Sequence, residues 1–480
     1  MNRIKKPKQF VIATILLIIL SCIFYCFIYF YMGKQRIIIS NWYPQFLLEY
    51  TKNPRIIIDS GSNSLYSLDS YKLEQEFNTQ TIVLADNAGF SLTKKLLRLE
   101  KYARKDDVIF LPLEWQYYTR EKETSYFTDR VLGSLNYYYF YDSYLEELKA
   151  MANSPFLHTI KNIRYKRRLK RKQYKYLTGY VNKFIQNERG TRNNTLPFTI
   201  KKTCEQYILK EQLKNGFKLS EKFKKDMKIL QRLKTKTKNI FLVWPTVVGN
   251  NCYSKKNKAN LDKFIMDIKK YLQQYNIKIL GNPYDNWFPI KDILDTYYHI
   301  APSAMKIRTK NFIQLVKEDS EINNVFMGRT NAAYTKALQE SKNNMLNLLN
   351  KRMCLAKEKI TFKSSKAIFE GWSHAEKRIR WSLNDDAYIH FSFNSKDIQG
   401  ILNVNMHTLG KQEISVSINN KFVGKQTVDE KTKKMRYTFN PNILNQKKIN
   451  TIKFEFSNPH APNGKDKRVL AMALKSLSIQ

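Results

Sequence analysis

Acidic side chains are in short supply in this chain. It carries 41 Asp and Glu against 83 Lys and Arg in 480 residues, a formal net charge of +42. An excess of that size raises nucleic acid, anionic membrane or an anionic polymer as partners. Nucleic acid is set aside. Lys, Asn, Ile and Tyr are abundant throughout, and the charge is spread rather than gathered in one tail. Zinc-finger spacing, a helix-turn-helix pattern and an RNA-binding sheet motif are all missing. Cysteine is scarce too, at five. Cys22 and Cys26 lie in an apolar run, while Cys204, Cys252 and Cys354 are far apart and odd in number. That argues against a disulfide framework. With no C-x-x-C pair, no zinc site and no other metal or cofactor is expected. Long hydrophobic runs are also lacking, with one exception at the N-terminus.

The exception is "FVIATILLIILSCIFYCFIYFYM", residues 10–32, which has no charged residue. It follows "MNRIKKPKQ", with Arg3, Lys5, Lys6 and Lys8. A run of this length crosses a hydrocarbon core with some tilt. The basic flank, residues 1–9, should stay in the cytoplasm, leaving everything after the run outside. A cleaved signal peptide needs a shorter apolar region and small residues at a cleavage site. This run ends in Phe, Tyr and Met, so the expectation is an uncleaved single-pass anchor in the cytoplasmic (inner) membrane. The main body is then extracytoplasmic or periplasmic.

Residues 55–115 alternate strand and helix. "RIIIDS", "TIVLAD" and "DVIFLPL" read as buried strands, and "DSYKLEQEF" and "SLTKKLLRLEKYA" as helices. This rhythm implies a parallel sheet. It returns at residue 239 with "NIFLVWP", a helix in "ANLDKFIMDIKKYLQQY", "IKIL" and a closing helix in "SAMKIRTKNFIQLVKE". One α/β domain, 33–335, is therefore expected in two halves around a basic insert at about 119–236. Within that insert, "KNIRYKRRLKRKQYK" reads as a solvated helix face, or as a contact for phosphates or anionic lipid near the membrane. A helical connector is expected at 336–359. From about residue 360, segments such as "AYIHFSF", "GILNVNMHT", "KMRYTF" and "TIKFEFS" read as strands, and "INNKFVG" as a hairpin, which together predict an all-β sandwich over 360–480.

In parallel α/β sheets, sites collect at the carboxyl ends of the strands. Three such ends carry unusual polar residues: Ser60-Gly61-Ser62-Asn63, then Asn87 and Gly89 in "DNAGFS", then Glu114 in "PLEW". Asp295 and His299 precede the last helix of the domain. A Ser hydroxyl is a weak nucleophile until a His takes its proton, and a carboxylate then fixes the imidazole and stabilises its charge. Of the six His residues, His299 alone falls in the α/β segments with an Asp one turn away. Each residue also has a plain reading: a Gly-Ser-Asn turn after a strand, a packed His beside two Tyr, an Asn that caps a helix.

Taken together, this constellation resembles the SGNH (GDSL-like) hydrolase superfamily. The likeness is to its membrane-anchored branch, which includes the alginate O-acetyltransferases and the teichoic-acid D-alanylation protein, and it covers about 55–118 and 239–316. The resemblance implies a flavodoxin-like three-layer α/β fold with Ser62 as nucleophile after the small Gly61. It also implies an oxyanion donor in the backbone N–H of Gly89, and a triad completed by His299 and Asp295. Two positions depart from the pattern. Asp295 and His299 stand one residue further apart than is usual in the family, with Asp292 as a substitute for Asp295. The family commonly has an Asn after the third strand, where this chain has Glu114. A carboxylate repels an oxyanion, so Glu114 is expected to touch substrate or a neighbouring main chain. The oxyanion hole then rests on the N–H groups of Ser62 and Gly89, with Asn87 or Asn63.

The C-terminal segment adds "GWSHAEKRIRWS", with Trp372, Glu376, Arg380 and Trp381, and Asp466 and Arg468 near the end. This resembles β-sandwich modules attached to bacterial enzymes of surface-polysaccharide synthesis. There, Trp372 and Trp381 would stack on sugar rings and Asp466 and Arg468 would bond hydroxyls. Alternatively both Trp are core and the charged pair is structural. The expected function is transfer or hydrolysis of an O-linked acyl group, acetyl above all, on a cell-surface glycan. By resemblance, a multi-pass membrane partner would export the acyl group. The alternative is a non-catalytic glycan-binding or assembly protein that keeps the fold.

Overall fold

The structure, a computed structural model, describes residues 7–27, 43–85, 88–121, 177–188, 190, 204, 217–249, 252–296 and 298–349, and in the C-terminal part 354–355, 360–361, 367–376, 378–393, 398–446, 448–462 and 466–480. The basic run 161–175, Asn87 and residues 28–32 of the apolar run lie outside them. Helix α1 (Pro7–Phe27) is uncharged from Gln9 onward, and its apolar side chains are exposed. The 19 residues Gln9–Phe27 are long and apolar enough to cross a membrane, a test that an N-terminal targeting sequence also passes.

The chain divides into two compact units. One is Met1–Glu49, Asn53–Arg171 and Gly190–Thr330; the other is Tyr50–Lys52, Lys172–Arg189 and Asn331–Gln480. In chain order the first contains α2 (Tyr43–Tyr50, whose last residue falls in the other unit), β1 (Arg55–Ile58), α3 (Ser62–Leu65), α4 (Ser70–Glu76), β2 (Gln80–Val83), α5 (Leu92–Tyr102), β3 (Val108–Leu111) and α6 (Trp115–Thr119). There follow α7 (Glu221–Lys236), β4 (Ile240–Val243), β5 (Val247–Val248), α8 (Lys255–Gln273), β6 (Lys278–Leu280), β7 (Trp287–Phe288), α9 (Pro302–Glu318) and α10 (Ser320–Phe326). Helix α7 falls inside the stretch read as an irregular insert. Its apolar residues Phe223, Met227, Leu230 and Leu233 recur at helical spacing and are buried.

The main sheet has the order β2-β1-β3-β4-β6, and every pairing in it is parallel. This is the doubly wound, flavodoxin-like order, with helices on both faces. Burial on both faces explains why β1 and β3 are continuous apolar runs rather than alternating ones. Ile56, Ile58, Phe110 and Phe241 pack with Phe312 and Val316 of α9, Leu73 of α4 and Ile322 of α10. Ile57 and Ile109 are equally buried but stand outside that cluster, as the two-residue period of a strand requires. Helices α5 and α7 pack on one another. Side-chain caps start these helices where the sequence offers Ser or Asp: Asp69 for α4, Ser91 for α5 and Ser220 for α7.

Among the described residues, the second unit holds helical residues 177–185, α11 (Asn331–Asn347) and eleven strands: β8 (Cys354–Leu355), β9 (Ile360–Thr361), β10 (Ala367–Glu370), β11 (Arg380–Leu383), β12 (Asp386–Phe393), β13 (Ile401–Thr408), β14 (Gln412–Ile418), β15 (Lys421–Val428), β16 (Lys434–Thr438), β17 (Ile449–Phe456) and β18 (Leu470–Ile479). One sheet runs β10-β12-β17-β14-β15 with β8 beside β12; the other runs β11-β18-β13-β16 with β9 beside β18. Apart from β8 with β12, the pairs are antiparallel. Inward residues of both sheets, such as Ile389, Phe454 and Val416 from one and Val404, Met406 and Leu474 from the other, form one core. That arrangement is a sandwich. The hairpin expected at "INNKFVG" joins β14 and β15 with Asn419 and Asn420 both at positive φ, 51° and 64°. Asn tolerates that region, and two such residues match the strand twist.

Candidate active site

The strand order reverses at β1, between β2 on one side and β3 on the other. The carboxyl ends of β1 and β3 lie side by side there, the usual site position in this architecture. Ser62 sits just past β1 at the start of α3, half-buried. Its backbone is held by a residue from the end of β3. Glu114 Oε2 accepts the N–H of Gly61 at 2.8 Å, and Oε1 accepts the N–H of Asn63 at 2.9 Å. One carboxylate thus clamps the main chain on both sides of Ser62. Gly61 is required for a steric reason: a Cβ there would stand 2.5 Å from both Ala88 Cβ and Glu114 Oε1.

His299 arrives from the loop before α9. Its Nε2 is 2.8 Å from Ser62 Oγ, and its Nδ1 is 2.6 Å from Asp295 Oδ1. The extra residue between Asp295 and His299 is accommodated by a local antiparallel loop. Ile293 bridges Ile300, Leu294 N–H donates to His299 O at 2.8 Å, and Ala301 N–H donates to Asp292 O at 2.8 Å. The segment turns back on itself, so Asp295 lies beside the imidazole, whereas Asp292 contributes its carbonyl to the closing ladder. The hydrogen bond to His299 holds the Asp295 carboxyl below its ordinary value, against a partial burial that would raise it. The ring of Tyr66 lies 4.4 Å from that of His299, and the ring of Tyr298 meets it edge-on at 5.0 Å and 88°.

A buried polar network stands beneath the nucleophile. Asn63 is fully buried and donates its amide to Pro112 O at 3.0 Å. Its Oδ1 accepts from Arg308 Nη1 at 2.7 Å and Thr246 Oγ1 at 2.7 Å. The Asn63 side chain is thereby bonded to the scaffold through both its oxygen and its nitrogen. Arg308 also donates to Ser67 Oγ at 2.7 Å and Trp244 O at 3.2 Å. Burial pulls its pKa down to about 9. Lys95 donates to Ser60 O at 2.9 Å and lies 3.7 Å from Asp59, which Arg98 holds at 2.6 Å. Burial pulls Lys95 down to about 7, with Asp59 acting the other way. The same burial raises Glu114, opposed by the N–H groups of Asn63 and Gly61 and by the Lys95 charge.

Glu114 decides between two stated alternatives. It is fully buried and spends its oxygens on main chain, so the main-chain alternative is the one realised and contact with substrate is not. Gly89 is half-buried in the loop after β2, next to Ala88, which abuts Gly61. Arg120 donates to Ala88 O at 2.9 Å and ties that loop to the end of α6. Arg308, Thr246, Lys95 and Tyr298 were missed from the sequence. Arg308 had one visible signal, a charge on the apolar face of α9.

In the sandwich, Trp372 is not a sugar platform. It is 1% exposed, donates Nε1 to Tyr388 O at 3.0 Å and packs edge-on against Phe454. Trp381 is half-buried on β11, with its main-chain groups bonded to Ser373. Arg468 forms a forked pair with Asp466 and a second ion pair with Glu376. This surface network is the structural alternative for Asp466 and Arg468. The cysteines correct a further expectation: Cys204 and Cys252, 48 residues apart, form a disulfide.

No family model matches the chain, and neither does any curated relative. Among solved structures, a family two carbohydrate esterase from Clostridium thermocellum in complex with cellohexaose is similar at 6% identity, with 24% of this chain and 31% of that chain covered and a TM-score of 0.18. An acetyl xylan esterase from Butyrivibrio proteoclasticus is similar at 8% identity over 24% of this chain and 28% of that one, with a TM-score of 0.18. A family 6 carbohydrate-binding module is similar at 9% identity over 26% of this chain and 95% of that one, with a TM-score of 0.18. The chain thus spans less than a third of the length of either esterase. Likenesses at this level carry no argument about activity.

Proposed function

We propose that this protein is a membrane-anchored, extracytoplasmic serine O-acyltransferase or esterase that acts on acyl groups, acetyl above all, of a cell-surface polysaccharide. The observation that carries the reading is the continuous relay Asp295–His299–Ser62, with contacts of 2.6 and 2.8 Å at the switch point of a parallel sheet. Ser62 Oγ attacks the acyl carbonyl carbon as its proton passes to His299 Nε2. Asp295 holds the imidazole by Nδ1 and stabilises the imidazolium. The ester C–O bond then breaks, and His299 returns the proton to the departing hydroxyl. A second hydroxyl, from water or a sugar, attacks the acyl-enzyme with His299 again as base, and Ser62 is released with its proton restored. Backbone N–H groups of Ser62 and Gly89 are the proposed donors to the oxyanion. Both departures from the family pattern have a local account: the Asp295 loop closes on His299, and Glu114 braces the turn.

The disulfide Cys204–Cys252 supports a location outside the reducing cytoplasm, and the basic residues ahead of α1 support an inside N-terminus. An acyltransferase in that place needs its donor delivered across the membrane, the task of a multi-pass partner. The test is release of acetate from an aryl acetate by the detergent-solubilised whole chain. Ser62→Ala and His299→Ala should each lose at least ~100-fold in kcat, and a serine-directed phosphonate should label wild type but not Ser62→Ala. Equal inertness of all three proteins, with no labelling, removes the catalytic reading.

A further inference from the structure

The oxyanion hole needs donors, and two side chains near Ser62, Asn63 and Glu114, are fully buried and bonded within the scaffold. Asn63 gives its amide to Pro112 O, and the Glu114 carboxylate accepts rather than donates. A third side chain stands at the nucleophile. The Tyr298 phenol interacts with the Ser62 side chain. Its ring is fixed edge-on against His299, and its carbonyl accepts from Thr246 Oγ1 at 2.6 Å. Thr246 in turn bonds Asn63, next in sequence to Ser62. Tyr298 is thus held from both ends against the turn that presents the nucleophile.

We propose that the Tyr298 phenol is the side-chain oxyanion donor of this site, an inference that rests on the acyl-transfer reading above. A Ser hydroxyl has one proton and two lone pairs. The Ser62 proton belongs on the His299 Nε2 side, where the imidazole collects it. The Tyr298 hydroxyl is then the donor and a Ser62 lone pair the acceptor. When that oxygen bonds the acyl carbon, it loses the electron density that held the phenol. The oxyanion forms on the same carbon, two bonds from Oγ, and carries the full negative charge. The phenol proton turns to it with little movement, and no bond to Tyr298 is made or broken. Burial, with Glu114 nearby, raises the phenol to about 12, so it stays protonated throughout the neutral range. Tyr298 here takes the place of the Asn donor that Glu114 displaced.

Tyr298→Phe tests this, because it keeps the ring against His299 and removes only the hydroxyl. In the solubilised whole chain, kcat for aryl acetate should fall ~100- to 1,000-fold with KM changed less than about threefold. Phosphonate labelling of Ser62 should slow in parallel, and the melting temperature should hold. A kcat within about threefold of wild type overturns the proposal. So does a loss that tracks a lower melting temperature or a shifted pH profile, since then the ring only positions His299. Should Tyr298→Phe fail to fold, 3,5-difluorotyrosine at position 298 retains ring and hydroxyl but ionises sooner. It should add an alkaline limb to the kcat profile, and an unchanged profile overturns the proposal. Turnover that depends on Ser62 but not on the Tyr298 hydroxyl sinks this inference alone, whereas no Ser62-dependent turnover or labelling sinks the functional reading and this one with it.

Discussion

Replacing Glu114 by Gln separates a structural clamp from a substrate contact. The carboxylate accepts two backbone N–H groups, at 2.8 and 2.9 Å, with no exposure to water. A Gln side chain keeps one acceptor and turns the other into an NH2 that faces an N–H. One backbone donor then loses a charge-assisted bond worth ~1.5–3 kcal/mol and is left buried without an acceptor, at ~1–3 kcal/mol. Against this, a neutral amide avoids part of the burial cost that raises the Glu114 pKa. The expected net loss is ~2–3 kcal/mol, or roughly 4–12 °C in melting temperature for a domain of this size. The turn that carries Ser62 should also shift, and kcat should fall ~10- to 100-fold. Thermal unfolding by circular dichroism, beside steady-state kinetics on aryl acetate, measures both. A melting temperature within ~1 °C of wild type together with a raised KM would refute the clamp and return Glu114 to the substrate.

Arg308→Lys exchanges a planar fork bonded to Asn63 Oδ1, Ser67 Oγ and Trp244 O for a point charge. It should cost ~2–4 kcal/mol in urea unfolding and lower kcat more than it raises KM; an unchanged unfolding midpoint would show that the fork does not hold the turn. In the sandwich, His390 bonds Glu370 and Thr451, with Lys342 paired to Glu370 and Tyr388 stacked on the imidazole. Burial lowers His390 from 6.5, against Glu370. Burial alone would raise Glu370, but His390 and Lys342 hold it below 4.5. Both folded values lie below the unfolded ones, so the unfolded chain binds more protons in acid. Stability should therefore be full above pH 6.5 and fall as His390 and then Glu370 take up protons. Melting temperatures across that range should show the decline, and His390→Phe should flatten its upper part; a flat wild-type profile counts against it.

Much of the fold was legible because it depends on local chemistry. β-Branched runs bounded by turn residues located the parallel strands, and period-two alternation located the long antiparallel ones, as in β13 and β17. Helix α7 was missed because Lys and Thr on its outer face obscured the buried stripe of Phe223, Met227, Leu230 and Leu233. In the site, Ser62, Asp295 and His299 stood out as a nucleophile, a carboxylate and a base at strand and loop ends. The residues around them did not. Arg308, Thr246 and Tyr298 are ordinary in their local sequence, and they gain meaning only from what they face across the fold.

The sequence by itself determined the apolar segment, the strand–helix rhythm and the residue types from which a nucleophile, a base and an orienting carboxylate could be drawn. These depend on hydrophobic periodicity and on intrinsic side-chain chemistry, which need no partner to be read. Tertiary structure decided whether a polar residue serves chemistry or scaffold. Glu114 and Asn63 become braces, Trp372 becomes core, and Cys204 finds Cys252. The reason is that a hydrogen bond extends only about 3 Å. Which groups come within that reach is set by strand order and loop closure, and partners such as Ser62 and His299, 237 residues apart, are invisible to each other until the sheet is assembled.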